Sequence, residues 1–110
     1  MAIALNVFKT TTAEITTADT VIYTAPAGKS SIILMAQIAN VSGTSGTVTF
    51  THQFNSTTTE LIKDFLIPGN DSASAITGKL VLETGHSISV SASDNSKFKI
   101  TLSILESVNG

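Results

Sequence analysis

The sequence predicts an all-β fold, built as one antiparallel β-sandwich domain of about eight strands over residues 1–110. Apolar and polar residues alternate with a period of two in several stretches, which places successive side chains on opposite faces of a sheet. Turn-forming residues recur between these stretches, with no long helical pattern among them. The chain has 110 residues, of which 42% are hydrophobic, and this suits one domain around one core.

The clearest alternation lies near the end of the sequence. In residues 97–104 every even-numbered position is apolar and every odd-numbered position is polar, as in a strand with one buried face. Residues 87–92 and 47–51 alternate in the same way and contain the β-branched and aromatic residues that strands favour. These three stretches are predicted to be strands.

Weaker patterns predict further strands, and turn residues separate them. Pro26 fixes one backbone angle and Gly28 accepts a positive φ, so residues 26–29 should reverse the chain. The weaker strands are residues 3–9, 13–17, 20–24, 31–41 and 79–82. The other turns are residues 43–46, 68–71, 83–86 and 94–96.

One segment allows two interpretations. Leu61, Ile62, Phe65 and Leu66 would share one side of a helix, which Pro68 would end. The β-branched residues just before this segment and the β pattern around it favour a strand. A strand is therefore predicted, with a single helical turn as the alternative.

Composition argues against several classes of function. Without cysteine the chain has no disulfide, thiolate metal site or cysteine nucleophile. The net charge is −2 and the six basic residues are scattered lysines, so no nucleic-acid partner is predicted. The longest apolar run, residues 32–36, is too short to cross a membrane, and no membrane partner is predicted. Residues 1–8 lack signal-peptide features, so we expect synthesis in a cytoplasm.

No catalytic or metal-binding set is apparent. His52 and His86 are the only histidines, and no serine lies in a nucleophile-elbow pattern. His52 is assigned to the polar side of its strand and His86 to a turn, so both are expected at the surface or rim. Asp71 and Asp94 are expected to cap turns, since no Asp-rich loop supplies the oxygens that calcium needs. The prediction is a protein that is not an enzyme and uses no metal or other cofactor.

The predicted outer face is rich in hydrogen-bonding groups and poor in charge. Ser and Thr make up more than a quarter of the chain, whereas charged residues make up 13%. Strand edges with few blocking residues tend to pair with other chains, so we expect a homo-oligomer, with a monomer as the alternative. Candidate contact positions are Lys29, His52, Asn70, Asp71, Asp94 and Asn95.

Two groups of segments follow one another in a recognisable order. The first comprises residues 21–29 (VIYTAPAGK), 32–34 (IIL) and 38–40 (IAN), and the second comprises 66–69 (LIPG), 78–90 (GKLVLETGHSISV) and 102–106 (LSILE). Together they resemble small virion structural proteins of tailed bacteriophages, particularly those of cyanobacterial and marine hosts. His86 departs from the pattern, because an acidic residue commonly follows the glycine in such proteins, and this argues against ion binding at that turn.

The resemblance implies a jelly-roll-like β-sandwich present in many copies on a particle. Its implied role is that of a capsid decoration or cement protein, or of a neck, tail or baseplate component. The implied location is the virion, after synthesis in the host cytoplasm. The implied partners are the chain itself and other virion proteins, such as capsid or tail proteins.

The alternative function is a carbohydrate-binding or host-adhesion β-sandwich module. Such a module would expose aromatic side chains that stack on sugar rings. Four aromatic residues do not occupy the apolar positions of the most clearly predicted strands and are the candidates for this role: Phe8, Tyr23, Phe54 and Phe65.

Overall fold

The computed structural model describes residues 6–108, and this part of the chain forms nine β-strands and no helix. The predicted all-β class is therefore confirmed. No helix within the described range is long and apolar enough to span a membrane. The strands are β1 (Asn6–Ile15), β2 (Thr20–Thr24), β3 (Lys29–Asn40), β4 (Gly46–Phe54), β5 (Thr57–Ile67), β6 (Ser72–Ser74), β7 (Leu80–Leu82), β8 (Ser87–Ala92) and β9 (Phe98–Val108).

The strands form two antiparallel sheets. Sheet A has the order β1-β9-β3-β6, and β7 pairs with another part of the same edge of β3. Sheet B has the order β2-β8-β4-β5. If β6 and β7 are counted as one interrupted strand, the chain changes sheet after every strand except between β4 and β5. This is the interleaving of a jelly roll, with the eight strands that were predicted.

The core lies between the sheets and contains the inward-facing residues of each strand. Alternation fixes the pairing register, because a slip of one residue would turn every apolar side chain toward water. Each fully buried side chain of this size stabilises the fold by about 1.5–3 kcal/mol. The core includes Phe98, Ile100, Leu102 and Ile104 from β9, Val48 and Phe50 from β4, and Ile88 and Val90 from β8, all at most 1% exposed.

Strand β5 confirms the preferred interpretation of its segment, and the helical alternative is wrong. Its register with β4 shifts twice, between Val48 and Phe50 and between Phe50 and Thr51. Asp64, within the first irregular stretch, has a φ of 49°, in the left-handed region. Each bulge adds a residue to one strand and bends it, so adjacent apolar residues occur together and imitate a helical pattern.

Two parts of sheet A differ from the sequence prediction. Two predicted strands, residues 3–9 and 13–17, contribute residues 6–9 and 13–15 to one strand, β1. Residues 16–17 lie in the β1–β2 connection, and residues 3–5 lie outside the described residues. Strand β6 was not predicted, because its three residues include only one half-buried apolar side chain, Ala73. Its pairing with β3 gives that segment its extended form.

Antiparallel pairing collects the connecting loops at two ends of the sandwich. The histidine end comprises the β2–β3, β4–β5 and β7–β8 connections, where the Ala25 N–H donates to the His86 carbonyl at 2.9 Å. The Asn40 end comprises the β1–β2, β3–β4, β5–β6 and β8–β9 connections, where the Asn70 N–H donates to the Ser42 carbonyl at 2.9 Å. These backbone bonds fix neighbouring loops against one another.

Candidate functional site

Three aromatic rings meet at the histidine end. His52 Nε2 lies 2.9 Å from His86 Nδ1, within hydrogen-bond distance, and the Phe54 ring stacks on His86 with 4.0 Å between centroids. His52 pairs in register with buried Ile88, so its side chain lies on the inward face of sheet B. The prediction that His52 lies on the polar side of its strand is wrong, since it shares the phase of Val48 and is half-buried.

Two shallow clefts open beside these rings, and Glu83 belongs to the wall of both. The smaller cleft, of about 280 Å³, is lined by His52, His86 and apolar residues that include Leu80. The larger, of about 720 Å³, has Phe54 and His86 in its wall. Burial, and to a smaller extent the charge of His86, lowers the pKa of His52, which keeps its imidazole neutral near pH 7.

A buried carboxylate lies nearby between the sheets. Glu106 is 1% exposed, and its Oε2 accepts a hydrogen bond of 2.5 Å from the Tyr23 hydroxyl, which also contacts Ser31 Oγ at 2.7 Å. Its Oε1 pairs with the ammonium groups of Lys9 at 3.5 Å and Lys29 at 3.7 Å. The carboxylate thus joins strands of both sheets, because Tyr23 belongs to β2 and the other residues belong to sheet A.

Hydrogen bonding, burial and charge in this network shift the pKa values of Glu106 and Tyr23. The Tyr23 hydroxyl donates to Glu106, and with the two lysines it holds the pKa of that carboxyl below its usual range against the opposing effect of burial. Burial, with a contribution from Glu106, raises the pKa of Tyr23 to about 12. Lys29, predicted as a contact position, therefore has a structural partner inside the chain, and Tyr23 is not the exposed aromatic that was expected.

Two predicted contact positions, Asn70 and Asp71, lie at the Asn40 end in the turn between β5 and β6. Asn70 has a φ of 60°, and the Asp71 side chain accepts a hydrogen bond from the Ser72 N–H at 2.8 Å. The Asp71 carbonyl accepts from the Asn40 N–H at 2.8 Å. Both side chains are exposed, and their backbone holds the turn against β3.

The other two positions, Asp94 and Asn95, lie in the turn between β8 and β9 at the same end. Asp94 accepts a hydrogen bond from Ser93 Oγ at 2.9 Å and pairs with the Lys97 ammonium at 3.3 Å, and these contacts lower the pKa of its carboxyl. Asn95 Oδ1 accepts from the Thr17 N–H at 3.0 Å, which joins this turn to the β1–β2 connection. The six predicted positions are thus divided between opposite ends and form no single site.

Three features were not predicted from the sequence: the burial of Glu106, the stacking of Phe54 on His86 and the pairing of the two histidines. Glu106 continues the even-numbered phase that is apolar from Phe98 to Ile104, and a charge on a core phase is a signal that sequence alone could supply. The pairing of His52 with His86 depends on the register between β4 and β8. That register cannot be derived from the sequence pattern. Residues 6–108 hold no group of three or more His, Cys, Asp or Glu side chains placed to bind one metal ion.

Within residues 6–108, both long sides of the sandwich end in strands that pair on one side only and expose apolar side chains. The β1/β2 flank consists of β1 and β2 and exposes Val7, Phe8 and Val21, with Phe8 at 74%. The β5 flank consists of β5, β6 and β7 and exposes Leu61, Phe65, Leu66 and Val81. A cavity of about 460 Å³ on the β5 flank lies between β5 and residues 74–80.

Each flank also carries devices that hinder the addition of another strand. Lys9 on the edge strand β1 lies on the inward phase, as its ion pair with Glu106 shows, and inward charges discourage edge pairing. The edge strand β5 is bent by two bulges and carries exposed Lys63. The edges are therefore better protected than the sequence suggested, whereas the apolar side chains on the flanks stay exposed.

Comparison with known proteins relates the chain to others by fold alone. No protein-family model and no curated protein matches the sequence. A chain from Bacillus endospore appendages, a novel family of disulfide-linked pili, is similar in structure with a TM-score of 0.58 and 12% identity, over 96% of this chain and 88% of that chain. A chain from the acid-stable capsid of Helicobacter pylori bacteriophage KHP30 has a TM-score of 0.55 and 7% identity, over 97% of this chain and 90% of that chain.

Proposed function

We propose that this chain is a non-enzymatic structural protein of a bacteriophage virion and assembles in multiple copies. The sequence resemblance to small virion proteins supports the proposal. It is also supported by the shared fold with a chain from a phage capsid and a chain from pili, since both of those structures are assemblies. One domain over residues 1–110, a homo-oligomer and a location on the virion are parts of the same proposal.

The observation that carries the proposal is the pair of apolar flanks. Phe8 and Phe65 lie on edge strands of different sheets, and both rings are largely outside the core. Apolar side chains grouped on an exposed surface mark a site of association. Because the two flanks differ, contact between the β1/β2 flank of one copy and the β5 flank of the next would be head-to-tail, which closes into a ring when the rotation permits.

The finer assignment is a capsid decoration or cement protein, or a component of the neck, tail or baseplate, of the kind found in phages of cyanobacterial and marine hosts. In this role the chain is made in the host cytoplasm and binds itself and other virion proteins, such as capsid or tail proteins. The low net charge of −2 suits contacts made by apolar groups and hydrogen bonds.

Light scattering of the purified protein across concentration and salt tests self-association. We expect a defined oligomer whose mass resists salt, because charge contributes little to the proposed contacts. Replacement by serine should weaken association roughly thirtyfold at Phe8 and roughly fivefold at Phe65. An apolar side chain of this size is worth about 2–3 kcal/mol when fully buried, and the single chain leaves 74% of Phe8 and 44% of Phe65 exposed.

A matched control is Val41→Ser, which removes a side chain that is 54% exposed in the β3–β4 connection and belongs to neither flank. It should leave the mass unchanged. A wild-type protein that stays monomeric throughout would contradict self-association, and equal effects of all three substitutions would contradict the assignment to the flanks.

A carbohydrate-binding or host-adhesion module is the second candidate. Phe8, Phe54 and Phe65 are exposed, as that function requires. They lie on β1, β4 and β5 respectively, however, and one face of the Phe54 ring is stacked on His86, so they form no common platform. Binding of oligosaccharides that is lost in Phe54→Ala and retained in Phe65→Ser would favour this candidate over the structural role.

A further inference from the structure

The fold brings together the whole imidazole content of the chain. The sequence contains two histidines and no cysteine, so it has few groups that bind borderline transition metals well. His52 and His86 are 34 residues apart in sequence, and the pairing of β4 with β8 places their ring nitrogens 2.9 Å apart. We propose that these two histidines form a binding site for a divalent transition metal ion, Cu²⁺ or Ni²⁺.

The distance between the nitrogens fits this class of ion. Metal–imidazole bonds are about 2.0–2.1 Å long, so two nitrogens at adjacent corners of a square-planar or octahedral ion lie about 2.9 Å apart. A tetrahedral ion would need them about 3.3–3.4 Å apart. His52 Nε2 and His86 Nδ1 are 2.9 Å apart, so binding requires the rings to turn until both lone pairs converge on one ion.

The proton balance is simple. In the hydrogen-bonded pair of neutral rings, one of the two facing nitrogens carries a proton. For both to bind a metal, that proton moves to the other nitrogen of the same ring, so His52 is protonated on Nδ1 and His86 on Nε2. The two imidazoles remain neutral, and no oxidant or reductant is involved.

The surroundings hold His86 and leave space for an ion. The backbone N–H of His86 donates to the Glu83 carbonyl at 2.9 Å, and the backbone carbonyl of His86 accepts from the Ala25 N–H at 2.9 Å. The Phe54 ring stacks on the His86 ring. The adjoining cleft of about 280 Å³ has room for water to complete the coordination, and Glu83 in its wall adds a negative charge.

Titration of the full chain with Cu²⁺ and with Ni²⁺ tests the proposal. We expect one ion per chain, a Cu²⁺ electron paramagnetic resonance spectrum with two nitrogen ligands, and loss of both histidine side-chain NMR signals before any others. His52→Gln and His86→Gln should each weaken binding roughly tenfold or more, because each removes half of the imidazole ligands.

Asp94→Asn serves as the control, since it removes a carboxylate at the opposite end of the sandwich and should leave the affinity unchanged. Thermal unfolding of each variant verifies that the sandwich is intact. The proposal is overturned if both glutamine variants bind as tightly as the wild type, if only one histidine signal responds, or if no saturation is reached at millimolar metal. Undiminished binding after both histidines are replaced by glutamine would overturn it as well.

Discussion

Replacing Glu106 with glutamine tests whether a buried charge stabilises the sandwich. Glutamine has nearly the same shape, and its carbonyl can still accept the hydrogen bond that the Tyr23 hydroxyl donates to Oε2. The substitution therefore removes mainly the attraction to Lys9 and Lys29. The packing around a side chain that is 1% exposed is kept.

The structure sets the size of the effect. The side chains of Lys9 and Lys29 are 50% and 37% exposed, so water screens both pairs, and exposed pairs contribute about 0.2–1 kcal/mol each. Burial of the shared carboxylate places both pairs at the upper end of that range, or about 2 kcal/mol together at pH 7. For a chain of this size 1 kcal/mol corresponds to about 4 °C, so the unfolding temperature should fall by about 8 °C.

Thermal unfolding followed by circular dichroism from neutral to acidic pH measures this effect. Because the pKa of Glu106 is lowered in the folded state, its contribution is present above the ordinary carboxyl pKa of about 4.3 and is lost as the pH falls through the folded value. Protonated glutamate resembles glutamine, so the wild type and the variant should converge in acid. Equal midpoints at pH 7, or a gap that does not narrow in acid, would refute the reasoning.

Three further predictions concern stability. The wild type should lose stability between about pH 10 and 12, because the pKa of Tyr23 is raised to about 12 in the folded state and its ionisation opposes folding in that window. Urea unfolding at alkaline pH should show a smaller loss in Tyr23→Phe. Asn40→Ala should cost about 3 kcal/mol in urea unfolding, since the buried amide donates to the Thr44 and Ile67 carbonyls and accepts from Ser42; a loss below about 1 kcal/mol would contradict this. Gly69→Ala should lower the unfolding temperature more than Gly28→Ala. A Cβ at position 69 would lie 2.4 Å from the Gly43 carbonyl carbon, whereas a Cβ at position 28 would meet open space, and only the φ of 76° would be unfavourable there. A larger decrease for Gly28→Ala would contradict this reasoning.

The sequence predicted the strands whose two-residue period is unbroken. Strand β8 has the predicted bounds, and β9 extends the predicted alternation to Val108. The prediction was weaker where the two-residue period breaks. The bulges of β5 interrupt the alternation, and the apolar neighbours Leu61–Ile62 and Phe65–Leu66 do not fit a two-residue pattern. It failed for β6, where pairing with β3 determines an extended segment that has almost no apolar pattern of its own.

The candidate sites were harder to predict, because they depend on contacts between distant segments. The positions chosen from turn composition, such as Asn70 and Asn95, join neighbouring loops at one end of the sandwich. The polar groups that do converge, His52 with His86 and Tyr23 with Glu106, lie at the other end, and all of them except His86 belong to strands. A polar residue at an alternating position that is otherwise apolar was therefore a better indicator of a candidate site than a polar residue in a turn.

The protected edges also restrict the kind of assembly that the flanks can form. Unlimited strand addition needs a flat, regular edge, and the bulges of β5 and the inward Lys9 of β1 both oppose it. The exposed rings of Phe8 and Phe65 need no such edge, because apolar packing depends on shape and not on a continuous ladder of hydrogen bonds. Association through the flanks should therefore proceed by side-chain packing and not by β-strand addition. The sandwich can then present apolar surface on two sides without joining its sheets to those of its neighbours.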